Sequence, residues 1–277
     1  MLSTPHTAPV ISSEDNSTFK ALKKTLAAQG IRRTGSTVVA GSKLVADALR
    51  LLPGRCLRLI IPEGFRPAPE LLQPFARPET VVRLKKTLFR EIDIFQTGDA
   101  LLELAVPEFS DWDHASSAPG CTLMLPFQDP VNVGGVVRSA LAFGVGRIVL
   151  LREAAHPFHP KSIRASGGAV FSARFVRGPA LADLPAPLPA PLVCLDMHGR
   201  PIQKFSFPAS FLLLPGTEGQ GLPERLRTRA LAIPMSGAIE SLNAATAVAI
   251  ALFCWHTARS LHHHGQSAPE PGRAATE

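Results

Sequence analysis

The first residues with a clear chemical use are two glycines and an arginine near the start of a predicted helix. Residues 129–151 fit a polar turn at the end of a strand, followed almost at once by a helix that contains Gly134, Gly135 and Arg138. Glycines in a first helical turn leave backbone amides open to an anion. An arginine one turn later could clamp a phosphate or face a reacting oxygen. An exposed helix arginine or a structural ion pair would fit the same position.

A second glycine-rich turn follows a strand-like run later in the chain. Residues 211–226 contain Gly216, Gly219 and Gly221 within six positions, so the backbone must turn sharply or approach a ligand closely. The carboxylate in this turn, Glu218, could orient the arginine or a substrate hydroxyl. It could equally cap the turn or the next helix, because a lone G-x-E-x-x-G pattern is weakly specific.

The third segment places two polar residues before an apolar helix. Residues 231–253 contain a short strand, a loop with Gly237, and a helix whose start is marked by Ser241. Ser241 fits an ordinary N-cap. Asn243 fits a structural role less well, because the helix beyond it is apolar on nearly every face. Such a helix is buried or forms a subunit interface.

These segments belong to a chain that alternates strand-like and helix-like runs. From residue 120 onward the alternation predicts a mostly parallel α/β sheet, in which ligands bind at the carboxyl ends of the strands. Residues 17–106 also show an α/β pattern, beginning with a predicted helix over 17–29 that Gly30 stops. A polar, turn-rich stretch, residues 110–120, separates the two parts.

We therefore predict two domains, over residues 17–109 and 119–260. The chain has 277 residues, of which 45% are hydrophobic, and this is enough for cores of ordinary size. The ends, residues 1–16 and 261–277, are polar and unpatterned, so we expect them to be disordered.

Composition and charge narrow the classes of function. The 29 Lys and Arg residues against 22 Asp and Glu give a net charge of +7, which favours a polyanionic partner such as nucleic acid without requiring one. Four widely spaced cysteines indicate buried thiols rather than a metal site or disulfides. No membrane-length apolar run and no secretory signal are visible, so a cytoplasmic protein without metal or membrane is expected.

The three segments together resemble one enzyme family. They read N-x-G-x-x-x-R-x-A at 132–140, G-x-E-x-x-G at 216–221 and I-P-M-x-G-x-x-x-S-L-N at 233–243. In this order they resemble the SpoU, or TrmH-like, branch of the SPOUT RNA methyltransferases over residues 120–258. More weakly, residues 17–106, with the phrase VVAGSKLVADAL, resemble the ribosomal-protein-like (L30e-like) RNA-binding domain that precedes this catalytic domain in rRNA-modifying members.

The resemblance implies a fold, a cofactor and a reaction. The C-terminal sheet would contain a deep trefoil knot and bind S-adenosylmethionine, and the enzyme would be a homodimer that methylates a ribose 2′-hydroxyl of RNA, with rRNA preferred. A tRNA 2′-O-methyltransferase is one alternative, and a non-catalytic RNA-binding or ribosome-assembly factor is another. Two departures from the family pattern are Pro215, which precedes Gly216, and the glycine at position 167.

The resemblance also assigns roles to residues. The expected catalytic group comprises Asn132, Arg138, Glu218, Ser241 and Asn243. The expected cofactor site comprises Leu214, Gly216, Gly221, Ile233, Met235 and Leu242. RNA contacts are expected from Arg32, Arg33, Lys85, Lys86, Lys161 and Arg164.

Within the catalytic group the arginine has the largest expected role. A guanidinium with a pKa above about 12 is a poor base at neutral pH. We therefore expect Arg138 to hold a nucleotide phosphate and stabilise the developing alkoxide, with proton acceptance less favoured. Asn132 and Asn243 would orient Arg138 and the ribose, and Glu218 would fix the loop.

Overall fold

The computed structural model describes residues 9–75, 77–217, 221–237 and 241–265, which form two β-sheets with helices packed on them. The first sheet contains β1 (Val10–Ile11), β2 (Ser36–Val39), β3 (Cys56–Pro62), β4 (Val81–Leu84) and β5 (Leu101–Ala105). Its helices are α1 (Ser17–Lys24), α2 (Ala28–Thr34), α3 (Ser42–Leu51), α4 (Pro69–Leu72) and α5 (Lys86–Ile92). The strand order is β1-β4-β3-β5-β2, with parallel pairs on the β4 side and antiparallel pairs to β5.

The second sheet is parallel and follows the predicted alternation. Its strands are β6 (Gly120–Leu125), β7 (Arg147–Leu150), β8 (Phe175–Arg177), β9 (Leu192–Pro201), β10 (Ser210–Pro215) and β11 (Ala230–Ala232). Its helices are α6 (Pro130–Ala142), α7 (Pro160–Ser166), α8 (Glu224–Arg227) and α9 (Ala244–Gly265). The strand order is β11-β9-β10-β6-β7-β8, and neighbouring strands run parallel. The mostly parallel α/β fold is confirmed.

The ends of the chain are more regular than expected. We expected disorder throughout residues 1–16, but Val10 and Ile11 pair with β4 and extend the first sheet. The expectation was also wrong for residues 261–265, because the backbone of α9 continues to Gly265. The rest of both terminal segments lies outside the described residues. Among the described residues, no helix has the length and apolar character needed to cross a lipid bilayer.

The first predicted helix is in fact two. Helix α1 ends at Lys24, and α2 begins at Ala28, so Gly30 lies inside a helix rather than stopping one. The reason is packing: a Cβ on Gly30 would lie 1.7 Å from the carbonyl oxygen of Lys24. Glycine is needed at this position because the two helices touch there, backbone against backbone.

The two sheets are joined by direct packing as well as by the chain. The Thr37 hydroxyl on β2 donates a buried hydrogen bond to the carbonyl of Phe158, at 2.7 Å. The guanidinium of Arg164 on α7 lies 4.5 Å from the ring centre of Phe95, within the range of a cation–π contact. One cluster of buried apolar side chains includes residues of both halves. The halves therefore share a core at this joint.

A histidine at the joint is held in its neutral form. The Nδ1 atom of His156 accepts a hydrogen bond from the Phe158 amide at 3.1 Å, so that nitrogen must be unprotonated. Burial, with smaller effects from the charges of Arg32 and His159, lowers the pKa of His156 to about 4. In the unfolded chain the pKa of this group is about 6.5.

This histidine makes the stability of the joint depend on pH. Between about pH 6.5 and pH 4 the unfolded chain binds a proton at His156 that the folded chain does not, so the free energy of unfolding falls as the pH is lowered. We expect a loss of about 2 kcal/mol between pH 7 and pH 5 from this group. The measurement is urea unfolding at both pH values for the wild type and for His156→Asn, whose amide oxygen can accept the same bond. An equal pH dependence in both proteins would contradict the assignment.

Candidate functional site

A cavity of about 490 Å³ opens where the carboxyl ends of β9, β10 and β11 meet the start of α9. It is lined by Asn132, Leu195, Asp196, Met197, Pro215, Gly216, Thr217, Gly221, Leu231, Ile233, Met235, Ser241, Leu242, Asn243, Ala244 and Ala247. This is the edge at which parallel α/β sheets bind ligands, and the volume is in the range of small-molecule sites. Eight of the residues assigned from the sequence line it: Asn132, Gly216, Gly221, Ile233, Met235, Ser241, Leu242 and Asn243.

Two asparagines connect the helices that border the cavity. The side-chain amide of Asn243 donates to the Oδ1 atom of Asn132 at 3.1 Å. The Oδ1 atom of Asn243 accepts from the backbone amides of Ala245 and Thr246, at 3.0 and 3.2 Å. Asn243, and not Ser241, is therefore the residue that caps α9. The cap fixes the orientation of the Asn243 amide, which in turn fixes Asn132.

Helix α6 starts where the sequence signals place it. The Asp129 carboxylate caps it by accepting from the Val131 amide at 2.9 Å, and Pro130 occupies the first helical position, where proline is favoured. Asn132 follows in the first turn and so lies at the sheet edge. Gly134, one turn from the cap, packs against α7.

The turn after β10 is shaped by its glycines. The Gly216 amide donates to the Leu195 carbonyl at 3.1 Å, and a Cβ on Gly216 would lie 3.3 Å from that oxygen. Gly221 has a φ of 66°, which favours glycine. The Thr217 hydroxyl donates to the Gly221 carbonyl at 2.6 Å and closes the turn. Pro215 precedes Gly216 without disturbing this arrangement. Proline has no backbone N–H to donate, and at the end of the strand none is needed.

Two sequence assignments lie elsewhere. Glu218 is outside the described residues. Leu214 does not line the cavity, and its assignment to the cofactor site stays a prediction. Its side chain is fully buried in an apolar cluster on one face of the sheet, whereas Leu213 belongs to the cluster on the other face. Side chains alternate between faces along a strand, and only the last residue of β10, Pro215, reaches the cavity.

Arg138 is exposed and does not line the cavity of its own chain. It lies six residues after Asn132 on α6, which is about 240° around the helix axis. Its guanidinium faces α7, where a Cβ added to Gly167 would lie 3.7 Å from it. Gly167 has a φ of 60° and ends α7, so the glycine is explained by the helix end, while an added Cβ would make only an ordinary contact with Arg138.

The sequence reasoning missed the middle of β9, where its pairing with β10 ends. Leu195, Asp196 and Met197 line the cavity beside the glycine turn. The available signal was the strand LVCLDM itself, since the carboxyl ends of neighbouring parallel strands meet at one edge. Within the part of the chain that the structure describes, Asp196 is the one ionisable side chain that lines the cavity.

The buried thiols do not supply a nucleophile at this site. Burial raises the pKa of Cys194 to about 12 and raises the pKa of Cys121 further still, so both stay protonated and unreactive near neutral pH. Among the described residues, no three His, Cys, Asp or Glu side chains are grouped to hold a metal ion. The cavity is built to bind and orient a molecule between apolar walls, backbone groups and amides.

The expected RNA-contacting residues are all exposed, on separate surfaces. Arg33 borders a groove of about 520 Å³ between α1 and α2, together with Lys20 and Lys24. Lys85 and Lys86 begin α5. The remaining three lie near the joint, on α2 and α7: Arg32, Lys161 and Arg164.

The second half of the chain is similar in sequence to a known protein family. Residues 122–253 match the sequence model of the SpoU rRNA Methylase family. A Streptomyces viridochromogenes protein named 23S rRNA (uridine(2479)-2′-O)-methyltransferase is 37% identical over 136 residues, 45% of this chain and 47% of that protein. A Bacillus subtilis protein named 23S rRNA (guanosine(2553)-2′-O)-methyltransferase is 28% identical over 253 residues, 88% of this chain and 97% of that one.

A longer relative matches most of this chain. The Syntrophobacter fumaroxidans protein named ribosomal RNA small subunit methyltransferase G 2 is 45% identical over 257 residues, which cover 92% of this chain but 50% of that protein. The chain thus spans about half the length of this relative and of the Streptomyces one. The name of the longer protein refers to its entire length, and this chain matches only one part of it.

Solved structures match both sheets. The SpoU methyltransferase AviRb from Streptomyces viridochromogenes, in complex with the cofactor AdoMet, is 26% identical, with a TM-score of 0.73 and coverage of 88% of this chain and 98% of that one. An rRNA methyltransferase from Sinorhizobium meliloti is also 26% identical, with a TM-score of 0.72 and coverage of 91% and 98%. Residues 122–253 of this chain are thus similar to the SpoU rRNA Methylase family in sequence, and the chain as a whole is similar in fold to solved methyltransferases.

Proposed function

We propose that this protein transfers a methyl group from S-adenosylmethionine to a ribose 2′-hydroxyl of RNA, with ribosomal RNA as the substrate. The observation that carries the proposal is the cavity at the ends of β9, β10 and β11, with the linked pair Asn132 and Asn243 at its border. A related structure is named as a complex with AdoMet, and two relatives are named as 23S rRNA 2′-O-methyltransferases. Work on ribosomal RNA would place the protein in the cytoplasm.

The residues of the cavity fit this cofactor. Adenine needs apolar walls and backbone hydrogen-bonding groups, and Ile233 and Leu242 supply walls, while the turn at Gly216 and Gly221 brings backbone close. Met235 is partly exposed at 37% and is suited to cover the bound molecule. When bound, the cofactor supplies an electrophilic methyl group on a sulfonium.

The chain's own residues contribute position and charge. Asn243, fixed by its cap, holds Asn132, and the pair offers amide groups that can orient a ribose by hydrogen bonds. Fixing the hydroxyl in line with the methyl group supplies much of the rate in such a displacement. The hydroxyl must also lose its proton, and a guanidinium beside the oxygen stabilises the alkoxide that develops. Arg138 is the cation assigned to that task.

Arg138 can act if a second copy of the chain completes the site. Val131, Arg138 and Ala142 lie along one exposed side of α6, at spacings of seven and four residues, which places them on one helix face. Val131 is 49% exposed, and the neighbouring Phe253 on α9 is 55% exposed. Exposed large apolar side chains of this kind favour a protein interface. We propose a homodimer on this face, in which Arg138 serves the cavity of the partner.

The path of the chain supports the knot that the family resemblance implies. Strand β11 lies at the edge of the sheet, beyond β9. The helix that follows it, α9, returns to pack on α6, and its Trp255 ring lies 5.7 Å from the ring of Phe211 on β10. Ile233 and Met235 after β11 line the cavity beside Gly216, and so do Ser241 and Leu242 before α9. We propose that the chain forms the trefoil knot at this place.

The N-terminal half is proposed to hold the RNA. We assign residues 17–109 to an RNA-binding domain and residues 119–260 to the methylase. The groove lined by Lys20, Lys24 and Arg33 supports this, since clustered cations follow phosphates.

Methyl transfer to separate RNA pools tests the proposal. Purified protein is incubated with methyl-labelled S-adenosylmethionine and unmodified rRNA or tRNA, and labelled linkages are tested for resistance to alkaline hydrolysis. We expect label in rRNA at resistant linkages, because a 2′-O-methyl group removes the hydroxyl that attacks the phosphate. Label in tRNA alone would overturn the assigned substrate, and label in alkali-sensitive linkages would overturn the assigned atom. Cofactor binding without transfer to either pool would favour a non-catalytic assembly factor.

A further inference from the structure

We propose that Asp196 binds the ribose hydroxyls of the cofactor and so helps to select an adenosine-containing molecule. The inference rests on the proposed function, because it concerns the same cavity. Asp196 is the one ionisable side chain among the described residues that line it. No described Lys, Arg or His forms an ion pair with it.

The position of Asp196 aims one carboxylate oxygen at the cavity. The residue follows Leu195, whose carbonyl binds the Gly216 amide at 3.1 Å, so it stands directly beside the glycine turn. Its Oδ1 atom accepts from the His198 amide at 3.0 Å, which fixes the orientation of the group. Its Oδ2 atom would lie 3.9 Å from a Cβ placed on Gly221, another lining residue. Oδ2 makes no hydrogen bond to the described part of the chain.

A carboxylate in this situation needs hydrogen-bond donors. It is half-buried, and a partly desolvated anion without a cation is costly unless other groups donate to it. Hydroxyl groups are suitable donors, and two neighbouring hydroxyls on one sugar ring can both bind one carboxylate. Acidic side chains at strand ends bind ribose hydroxyls in this manner in other parallel α/β folds.

The spacing of the strands favours the ribose over the sulfonium of the cofactor. Strands β9 and β6 both pair with β10, so Leu195 of β9, the last residue paired with β10, lies about 10 Å from the end of β6. Asn132 lies just beyond β6, on α6, at the border where the methyl group must meet its acceptor. The sulfonium is one bond from that methyl group and belongs at that border, whereas the ribose can extend toward β9.

Binding of three ligands to wild type and variants tests the assignment. S-adenosylmethionine, S-adenosylhomocysteine and 5′-methylthioadenosine all contain the ribose, but methylthioadenosine lacks the amino-acid part and both positive charges. For Asp196→Ala we expect calorimetry to show affinities about 10- to 100-fold weaker for all three ligands, the range for hydrogen bonds to a charged group. Removing a ribose hydroxyl from methylthioadenosine should weaken wild-type binding and leave Asp196→Ala binding unchanged.

A control variant and the pattern of affinities show which claim is wrong if the expected result is not obtained. Asp183→Asn removes a carboxylate that is 60% exposed and pairs with Arg152. Asp183 does not line the cavity, so this variant should leave all three affinities unchanged. Weaker binding of S-adenosylmethionine by Asp196→Ala, with unchanged binding of methylthioadenosine, would overturn the ribose assignment in favour of the ammonium group. Unchanged binding of all three ligands would overturn the inference alone. A wild-type protein that binds none of them would overturn the proposed function, and the inference with it.

Discussion

Arg138→Ala is expected to lower the rate of methyl transfer at least about a hundredfold, with little change in the affinity for S-adenosylmethionine. The two effects separate because Arg138 lies outside the cavity of its own chain and is assigned to the developing alkoxide and the nucleotide phosphate. Arg138→Lys keeps a positive charge but loses the planar pair of donors, so it should recover only part of the rate. Single-turnover transfer to rRNA measures the rate, and calorimetry measures the affinity.

Arg177→Ala is the matched control for this prediction. Arg177 is 62% exposed and pairs with Asp111, and it ends β8 at the edge of the sheet opposite β11. An exposed ion pair contributes little stability, so this variant should transfer methyl groups at nearly the wild-type rate. Loss of cofactor binding in Arg138→Ala would show that the arginine belongs to the cofactor site instead.

Gly134→Ala is expected to destabilise the fold by about 3 kcal/mol. A Cβ at this position would lie 2.4 Å from the carbonyl oxygen of Ser162 and 2.8 Å from the Cβ of Ala165. Neither atom can move aside easily, because one belongs to the backbone and the other to a short side chain. Helices α6 and α7 must therefore move apart. Urea unfolding, followed by circular dichroism, measures the loss.

The neighbouring residue provides the control for this packing argument. A Cβ on Gly135 would meet only the Cβ of Ala245, at 3.5 Å, which is an ordinary contact. Because alanine is favoured over glycine inside a helix by about 1 kcal/mol, Gly135→Ala should be neutral or stabilising. If the two variants unfold at the same urea concentration, the close approach of α6 and α7 is not what requires glycine.

The order and spacing of the motifs were enough to propose the site but not the side-chain directions within it. Asn132, Gly216 and Asn243 were assigned through the family resemblance of their motifs, and the parallel sheet brings all three to one cavity. The side chain of Leu214 does not line the cavity, and the sequence could not show this because a shift of one residue along a strand reverses the face. Arg138 shows a related limit, since six residues along α6 turn a side chain to another side of the helix.

Contacts between distant segments could not be read from the sequence. Gly30 was predicted to stop a helix because glycine commonly ends helices. Its less common role, in which the missing side chain lets two helices touch, was not considered. Asp196 carries no local motif, and only the pairing of β9 with β10 and β11 brings it to the cavity. The buried hydrogen bond between Thr37 and Phe158 joins residues 121 positions apart. No periodicity or spacing in the sequence predicts it.

That joint also sets a length scale for the RNA. Because Thr37, Phe158 and the pair Arg164 and Phe95 hold the two halves in one arrangement, the groove beside α1 and the methylase cavity keep a constant separation. On the proposed function, an RNA bound at both places would have to span that fixed distance. The modified nucleotide would then be chosen by its distance from an anchored fold of the RNA, with little need for the enzyme to read the bases between them.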